Sequence, residues 1–392
     1  MSESLPDRSS LLLIRNARRY APADIGIGDI LIGGGRILSL DSGIEPGHGV
    51  PCRVIEAEGR LAVPGFVDSL VHIGGGGGEG GFASRTIALL PAQAFAAGVT
   101  TMIGALGTDD VTRTHADLLA TARALNAHGL SAYALTGSYR VPVRTLTGSV
   151  RDDIVLIPDF IGVGELAIAD HRGSQPSVEE LARIASDARV GGLLAGKSGI
   201  VLVHVGDAEE GLYSIDQASR RFPVPMQQWH PTHINRQRAL LKQGIDWGRR
   251  GGSVDLTTST TPECIASGEV PAAQALAELL AAGVTIDRIS MSSDGQASLP
   301  HFDANGALIS MGVASLASLC EAMFDAVRQH GVPFETALRS ITASPAAIWG
   351  LKRKGNLRIG ADADVLLLDP DTLLPLSTIA GGNAPAIGDT SR

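Results

Sequence analysis

Runs of uninterrupted apolar residues alternate with longer amphipathic segments through most of this 392-residue chain. The runs show little polar alternation, which is typical of parallel strands covered on both faces, and a segment with helical spacing follows each of them. Eight such strands are predicted, at residues 65–73, 99–107, 131–139, 160–169, 200–206, 228–234, 253–258 and 288–294. Eight strand–helix units in succession predict an α/β fold in which the strands close into a (β/α)8 TIM barrel.

The two ends of the chain have a different pattern, in which short apolar runs are broken by Gly, Pro and Asp. This pattern occupies residues 11–15, 29–32, 53–57 and 355–369. We therefore predict a small β-sandwich module formed by both termini, residues 1–62 and 348–392, beside a barrel at residues 63–347. No further strand is recognisable after Leu374, so we expect the module to be incomplete there. The tail after Pro370 is rich in Gly, Ala and Pro and is expected to be poorly ordered.

Composition and charge narrow the class of protein. The net charge of −9, from 32 Lys and Arg against 41 Asp and Glu, argues against nucleic-acid binding, which needs clustered basic residues. We predict no membrane span, because no run of about 18 apolar residues exists, and no signal peptide within residues 1–21. Cys52, Cys264 and Cys320 are widely spaced and are predicted to be free thiols of a cytoplasmic enzyme.

Ionisable side chains stand at the ends of five predicted strands, where barrel enzymes carry their chemistry. They are His72, Glu165, His204, His233 and Asp294. Imidazole and carboxylate groups suit zinc or a similar divalent ion, which lowers the pKa of a water molecule it binds to about 7. Asp294 is then placed to take the proton and return it to a leaving group.

Each of these residues also has an ordinary structural interpretation. A lone histidine in a strand is more often a hydrogen-bonded core residue than a metal ligand, and Glu165 in an apolar run can form an ion pair with a neighbouring strand. Ligation is favoured only because two histidines on consecutive strands and carboxylates on two others converge at one end of the barrel.

One segment matches a phosphate-binding motif by residue type, but the predicted elements on either side of it do not suit that motif. Residues 191–198, GGLLAGKS, fit the pattern GxxxxGK[ST]. That motif needs a strand before it and a helix after it, so that helix amides meet the phosphate, and here the predicted order is reversed. We therefore predict no nucleotide site there. The glycine run at residues 74–78 is predicted to be a flexible loop over the barrel mouth that leads to Glu79.

Several motifs resemble those of the amidohydrolase superfamily of metal hydrolases. PGFVDSLVH at residues 64–72 is similar to its opening motif PGxIDxHxH, and GADADVLLLD at residues 360–369 is similar to its closing motif. The barrel loops resemble more closely those of bacterial isoaspartyl (β-aspartyl) dipeptidases. The matching stretches are GGGGE (75–79), GTD (107–109), ALNAHGLSAYALTGSYRVP (124–142), TGSV (147–150), DHR (170–172), GGLLAGK (191–197), PTHINR (231–236) and SSDG (292–295).

The resemblance implies roles for residues around the barrel mouth. Glu79 matches the carboxylate that binds the substrate α-ammonium, and Tyr139 matches the phenol that polarises the scissile carbonyl. The residues implied to hold the carboxylates and backbone ends of a dipeptide are Gly77, Thr108, Arg172, Arg236 and Ser298. Two arginines suit two carboxylates through paired donors, although charges at a barrel rim also have an ordinary interpretation as solvated pairs. The resemblance also implies a homo-oligomer.

The metal-binding residues depart from the dipeptidase pattern. The family has two histidines on the first strand, where this chain has Leu70 and His72, and a carboxylated lysine on the fourth, where this chain has Glu165. The chain here resembles the N-acetylglucosamine-6-phosphate deacetylases, which hold one metal with Glu, His and His. This implies one Zn2+, or another divalent ion, per subunit on Glu165, His204 and His233, with His72 in the same metal group, where it orients substrate or water.

Three functions stay open at this point. The prediction is a hydrolase that uses one metal ion to cleave the amide bond of β-aspartyl dipeptides or a closely similar small amino-acid amide. A second interpretation keeps the metal and changes the substrate to a different amide, a ureido compound or a cyclic compound. A third interpretation is a ligand-binding protein without hydrolytic activity, and it is motivated by the departures at Leu70 and Glu165.

Overall fold

The computed structural model describes residues 11–47, 49–302 and 308–383 of the chain. Its strands follow the apolar runs of the sequence closely. In chain order they are β1 (Leu11–Tyr20), β2 (Asp24–Gly33), β3 (Arg36–Asp41), β4 (Cys52–Glu56), β5 (Leu61–Pro64), β6 (Phe66–Val71), β7 (Val99–Gly104), β8 (Ser131–Thr136), β9 (Phe160–Ile168), β10 (Ile200–Val205), β11 (Trp229–Thr232), β12 (Val254–Thr257), β13 (Ile289–Ser292), β14 (Ser298–Phe302), β15 (Leu308–Val313), β16 (Val365–Leu368) and β17 (Pro375–Ile379).

Helices connect the barrel strands and end the barrel. They are α1 (Pro91–Ala96), α2 (His115–Ala127), α3 (Val150–Leu156), α4 (Val178–Ala195), α5 (Tyr213–Arg221), α6 (Arg238–Arg249), α7 (Pro262–Ala266), α8 (Ala272–Ala281), α9 (Ser318–Arg328), α10 (Phe334–Ser340) and α11 (Ala343–Ile348). The longest, α4, begins at a capping box of Ser177 and Glu180 and ends at Gly196, whose φ of 67° an L-residue adopts only with strain. None of the described helices is long and apolar enough to cross a membrane.

Eight parallel strands of the described chain, β6 to β13, close into a barrel. Strands β6 to β11 form one continuous parallel sheet, and β12 pairs with β13. Backbone hydrogen bonds join these two pieces, from Ile234 N–H to Asp255 O at 3.2 Å and from His72 N–H to Gly295 O at 2.8 Å. The predicted (β/α)8 barrel is confirmed.

Two apolar layers stabilise the barrel. Because side chains alternate across a strand, one set packs outward against the helices and the other lies inside the barrel. The inner set includes Leu70, Ile103, Leu135, Leu202 and Trp349, which form one buried cluster. Leu70 is fully buried there, so the position that carries a histidine in the family pattern belongs to the apolar filling of this barrel.

The terminal module is a mixed sheet that uses both ends of the chain. Seven strands of the described residues form it, in the order β17-β16-β5-β1-β2-β3, with β4 also paired to β1. Strand β1 pairs with β4 along residues 11–15 and with β5 at Arg18 and Arg19, and its pairing with β2 shifts register between Ile14 and Ala17. The predicted sandwich is thus one hydrogen-bonded sheet whose first strand changes partner at a bulge.

The expectation that no strand follows Leu374 is wrong. Strand β17 begins at the next residue and pairs antiparallel with β16 at the sheet edge. Its five residues include Pro and Ser, so the apolar alternation that identifies a strand is weak in the sequence. The outer parts of the predicted module, residues 1–10 and 384–392, lie outside the described residues.

Candidate active site

Three ionisable side chains from consecutive barrel strands meet at one point. Glu165 lies in β9, His204 lies in β10 and His233 follows β11. The Glu165 Oε2 atom is 3.8 Å from His204 Nδ1 and 3.6 Å from His233 Nε2, and all three side chains are buried. A tetrahedral zinc ion with bonds of about 2.0–2.2 Å separates its ligand atoms by about 3.4 Å. The two distances from Glu165 are close to this value, and all three ligand atoms lie within 4.8 Å of one another, so the group could hold a single ion.

The Glu165 carboxylate fits a cation because the protein leaves it without donors. Both oxygens are buried, and neither accepts a hydrogen bond from the described residues. An uncompensated buried carboxylate is costly, so a positive partner is expected. Burial alone would raise the pKa of Glu165, but the imidazoles of His204 and His233 reverse this effect and hold it well below its ordinary value. Burial lowers the pKa of His233 to about 3, which keeps that imidazole in the neutral form that binds metals.

Each imidazole is held through the nitrogen that faces away from Glu165. Asp170 Oδ2 lies 2.9 Å from His204 Nε2, and Thr257 Oγ1 lies 2.6 Å from His233 Nδ1. Such outer partners fix the tautomer and the ring orientation of metal-binding histidines. The nitrogens that face Glu165 are Nδ1 of His204 and Nε2 of His233.

Asp170 is itself fixed by Arg172. The guanidinium donates from Nε to Oδ1 at 3.0 Å and from Nη2 to Oδ2 at 2.6 Å. Burial would raise the pKa of Asp170, but His204 and Arg172 hold it well below its ordinary value. The sequence analysis noted Asp170 only within the stretch DHR and did not single out Thr257. Asp170 follows the end of β9 and Thr257 ends β12, and this position was the available signal, but it did not reveal their partners.

His72 and Asp294 form a second pair beside the three-residue group. His72 Nε2 is 3.1 Å from Asp294 Oδ1, and Arg236 Nη2 donates to Asp294 Oδ2 at 3.0 Å. The sequence prediction placed His72 in the metal group, whereas the group found among the described residues contains only Glu165, His204 and His233. Asp294 and His233 have φ values of 53° and 65°, a left-handed conformation that is uncommon outside glycine and clusters at functional sites.

Tyr139 approaches the same point from the end of β8. Its hydroxyl lies 2.7 Å from His204 Nδ1, and the side chain is buried. Burial raises the pKa of Tyr139 well above its ordinary value, and the nearby Glu165 charge acts in the same direction. The phenol therefore keeps its proton and is a donor directed at the centre of the site.

The predicted substrate-binding residues fall into two groups, one around Glu79 and one beside Asp294. On one side Thr108 Oγ1 donates to Glu79 Oε1 at 2.7 Å, and Arg172 Nη1 lies 3.7 Å from the same oxygen. Glu79, Thr108 and Gly77 line a cavity of about 250 Å³. A Cβ on Gly77 would lie 2.9 Å from Ser298 Cβ, so the glycine loop and β14 touch at a point with no room for a side chain. Arg236 stands on the other side, beside Asp294.

A buried polar network that the sequence did not reveal lies inside the barrel. The Asp255 carboxylate accepts hydrogen bonds from the hydroxyls of Ser290, Ser292 and Thr232. Burial raises the pKa of Asp255 to about 7 in spite of these donors. The network belongs to the interior of the barrel, because its members are strand residues with no exposed surface.

The segment that matches the phosphate-binding motif, residues 191–198, has a structural role. Helix α4 precedes the motif and β10 follows it, as the sequence indicated. The Lys197 ammonium donates to the backbone carbonyls of Ile154, Ile157 and Phe160 at 2.5, 2.7 and 2.9 Å. These bonds use all three ammonium protons, so Lys197 joins α3 to β9.

Comparisons with known proteins identify a family and several similar structures. Residues 230–388 match the model of the amidohydrolase family. The structure is similar to that of a β-aspartyl dipeptidase from Fervidobacterium islandicum AW-1 in complex with β-Asp-Leu. The two chains are 39% identical, the TM-score is 0.87, and the match covers 95% of this chain and 96% of that one.

Two proteins that are less similar to this chain are named for other reactions. A dihydroorotase of Lactiplantibacillus plantarum is 24% identical, over 96% of this chain and 94% of its own length. An N-acetylglucosamine-6-phosphate deacetylase from Pasteurella multocida is 16% identical with a TM-score of 0.61, over 96% of this chain and 99% of that one, which shows a shared fold.

Proposed function

The chain belongs to the amidohydrolase superfamily, in its isoaspartyl-dipeptidase-like group, and is a hydrolytic enzyme; from this premise we propose that it cleaves the amide bond of β-aspartyl dipeptides or of closely similar small amino-acid amides. The observation that carries the proposal is the buried Glu165 carboxylate, which has no donor among the described residues and faces two anchored imidazoles. We also propose a cytoplasmic location, on the ground of the free cysteines, and a homo-oligomer, as the resemblance implies.

One divalent ion, Zn2+ in the simplest case, fits the donors present. Glu165, His204 and His233 would hold it, since their facing atoms are two imidazole nitrogens and an ionised carboxylate oxygen. When bound, the ion supplies Lewis-acid activation of water and of a carbonyl group. Leu70 offers no donor at the position where the family has a second histidine, which favours one ion over two.

Asp294 would carry out the proton transfers, and Tyr139 would donate a hydrogen bond to the carbonyl oxygen of the substrate. Burial alone would raise the pKa of Asp294, but His72 and Arg236 outweigh it and hold the pKa below its ordinary value, so the carboxylate is ionised and able to accept a proton from water. It would then pass that proton to the departing amine, a role worth about 10²–10⁴ in rate. The protonated Tyr139 hydroxyl would donate to the carbonyl oxygen as negative charge develops there.

The substrate would be held by groups of opposite charge on both sides of the scissile bond. Glu79 would bind the α-ammonium, and Arg172 and Arg236 would bind the two carboxylates through paired N–H donors. Arg236 contacts Asp294 in this structure, so a substrate carboxylate would draw it from that partner. The remaining contacts would come from Thr108, Ser298 and the backbone of Gly77.

The direct test is cleavage of β-Asp-Leu by the zinc-loaded protein, with α-Asp-Leu as the matched control. We expect release of aspartate and leucine from the β-linked peptide alone. A Glu79→Gln variant is expected to raise KM by about tenfold or more, because a neutral amide replaces the partner of the ammonium. The proposal fails if the purified protein binds less than about half an equivalent of metal and cleaves neither peptide.

A second function is favoured by the similarity to a dihydroorotase, whose name points to a cyclic amide substrate. Such a ring has no free ammonium for Glu79 to bind. Turnover of dihydroorotate that is unaffected by Glu79→Gln would support this alternative over dipeptide cleavage. Calorimetry addresses the non-hydrolytic alternative, which predicts tight dipeptide binding that a metal chelator leaves unchanged.

A further inference from the structure

His72 lies at the seam where the last barrel strand meets the first. Its backbone N–H donates to Gly295 O at 2.8 Å, and Val71 forms a parallel bridge with Gly295. Its Nε2 is 3.1 Å from Asp294 Oδ1, and less than a tenth of either side chain is exposed. Because backbone hydrogen bonds join the two segments at this level, the closure of the barrel sets the distance between the imidazole and the carboxylate.

Two glycines hold the His72 ring on its other sides. A Cβ placed on Gly107 would lie 2.7 Å from His72 Cε1, and one on Gly76 would lie 3.2 Å from His72 Cγ. Distances this short mean that the ring packs directly against backbone and that neither position has room for a side chain. The orientation of Nε2 toward Asp294 is therefore imposed by packing.

The surroundings of His72 do not provide a second metal position. The residue two positions earlier is Leu70, which packs among Ile103, Leu135 and Trp349 inside the barrel. The metal-type group of the described residues lies on Glu165, His204 and His233 and does not include His72. The Nε2 atom of His72 is directed at Asp294 Oδ1, 3.1 Å away, and not at this group.

We propose that His72 is a positioning residue that acts through Asp294 and is not a metal ligand. His72 Nε2 lies beside Oδ1 of the carboxylate and Arg236 donates to Oδ2, so Asp294 has a nitrogen neighbour on both sides. When a substrate carboxylate draws Arg236 away, His72 is the donor that stays and keeps Asp294 in place for proton transfer. The proposal rests on the proposed function, because it takes Asp294 to be the group that carries the proton.

The test compares three variants. His72→Leu removes the donor, and His72→Gln keeps an N–H at a similar distance. His233→Leu is the control for the loss of a metal ligand. Bound zinc is measured by elemental analysis and competitive titration, and kcat and KM are measured with β-Asp-Leu. For His72→Leu we expect one zinc per chain, a KM within about threefold and a kcat lowered by about 10- to 100-fold, with most of the rate restored in His72→Gln.

Three results would overturn the proposal. Loss of zinc in His72→Leu to the extent seen in His233→Leu would make His72 a ligand. An unchanged kcat in His72→Leu would show that His72 has no part in the reaction. An equal loss of kcat in His72→Leu and His72→Gln would show that the N–H donor has no role. If the wild-type protein leaves β-Asp-Leu uncleaved, the proposed function fails by itself. A crystal structure with zinc then decides about His72, since contact of its Nε2 with zinc contradicts the proposal and contact with Asp294 supports it.

Discussion

Replacement of Asp170 by Asn tests whether the outer hydrogen bonds prepare the candidate metal site. The Asp170 carboxylate lies 2.9 Å from His204 Nε2 and is held by two donors of Arg172. Asn keeps the size and one acceptor oxygen, but it removes the charge that makes His204 a better ligand. Loss of such an outer partner costs about 10- to 100-fold in metal affinity, and we expect the lower end, about 1.4 kcal/mol, because an acceptor remains.

The assay is a competition titration of zinc against a chromophoric chelator, with Asp187→Asn as the matched control. Asp187 also pairs with an arginine, Arg151, at 2.7 Å, but both side chains are about half exposed. An exposed pair of this kind is worth at most about 1 kcal/mol, and we expect its loss to change zinc affinity by less than about twofold. If Asp170→Asn binds zinc as tightly as the wild type, the reasoning about outer partners is refuted.

Three further substitutions test other parts of the account. The pKa of Asp255 rises from 3.8 to about 7 in the fold, so the unfolding free energy of the wild type should fall by about 2.6 kcal/mol between pH 5 and pH 8 through this group. Asp255→Asn removes this contribution, so its unfolding free energy should rise relative to the wild type by that amount over the same range. Urea unfolding measures the difference, and a difference that does not change with pH would contradict the prediction. Leu70→His should lower the unfolding free energy by about 2–4 kcal/mol and leave one zinc per chain, whereas two would count against the apolar role of this position. Lys197→Met should cost about 1–3 kcal/mol in unfolding by urea, and Mg-ATP should leave the wild-type Tm unchanged, since a shift would revive the nucleotide interpretation.

The barrel was predictable because its strands are buried on both faces. Uninterrupted apolar runs such as those of β9 and β10 separate cleanly from their helices, and the polar residues at their ends stand out against them. Glu165 and His204 were found in this way. Strand β17 was missed because an edge strand of five residues with a proline has too weak a pattern.

The partners of the site residues were beyond sequence reasoning. Whether His72 faces a metal ion or Asp294 depends on how β13 meets β6, and no periodicity encodes that closure. Thr257 and Asp255 are polar residues of one short strand, yet one contacts His233 and the other binds three hydroxyls. The strand register across the barrel determines which hydroxyl or carboxylate contacts each imidazole ring. That register is known only from the folded structure.

The central claim is that Glu165, His204 and His233 bind one divalent ion together. Anomalous diffraction at the zinc absorption edge, from crystals grown with zinc, measures this directly. The account predicts one strong peak at about 2.0–2.2 Å from His204 Nδ1, His233 Nε2 and a Glu165 oxygen. A pair of peaks that includes His72, or no peak within reach of Glu165, would contradict it.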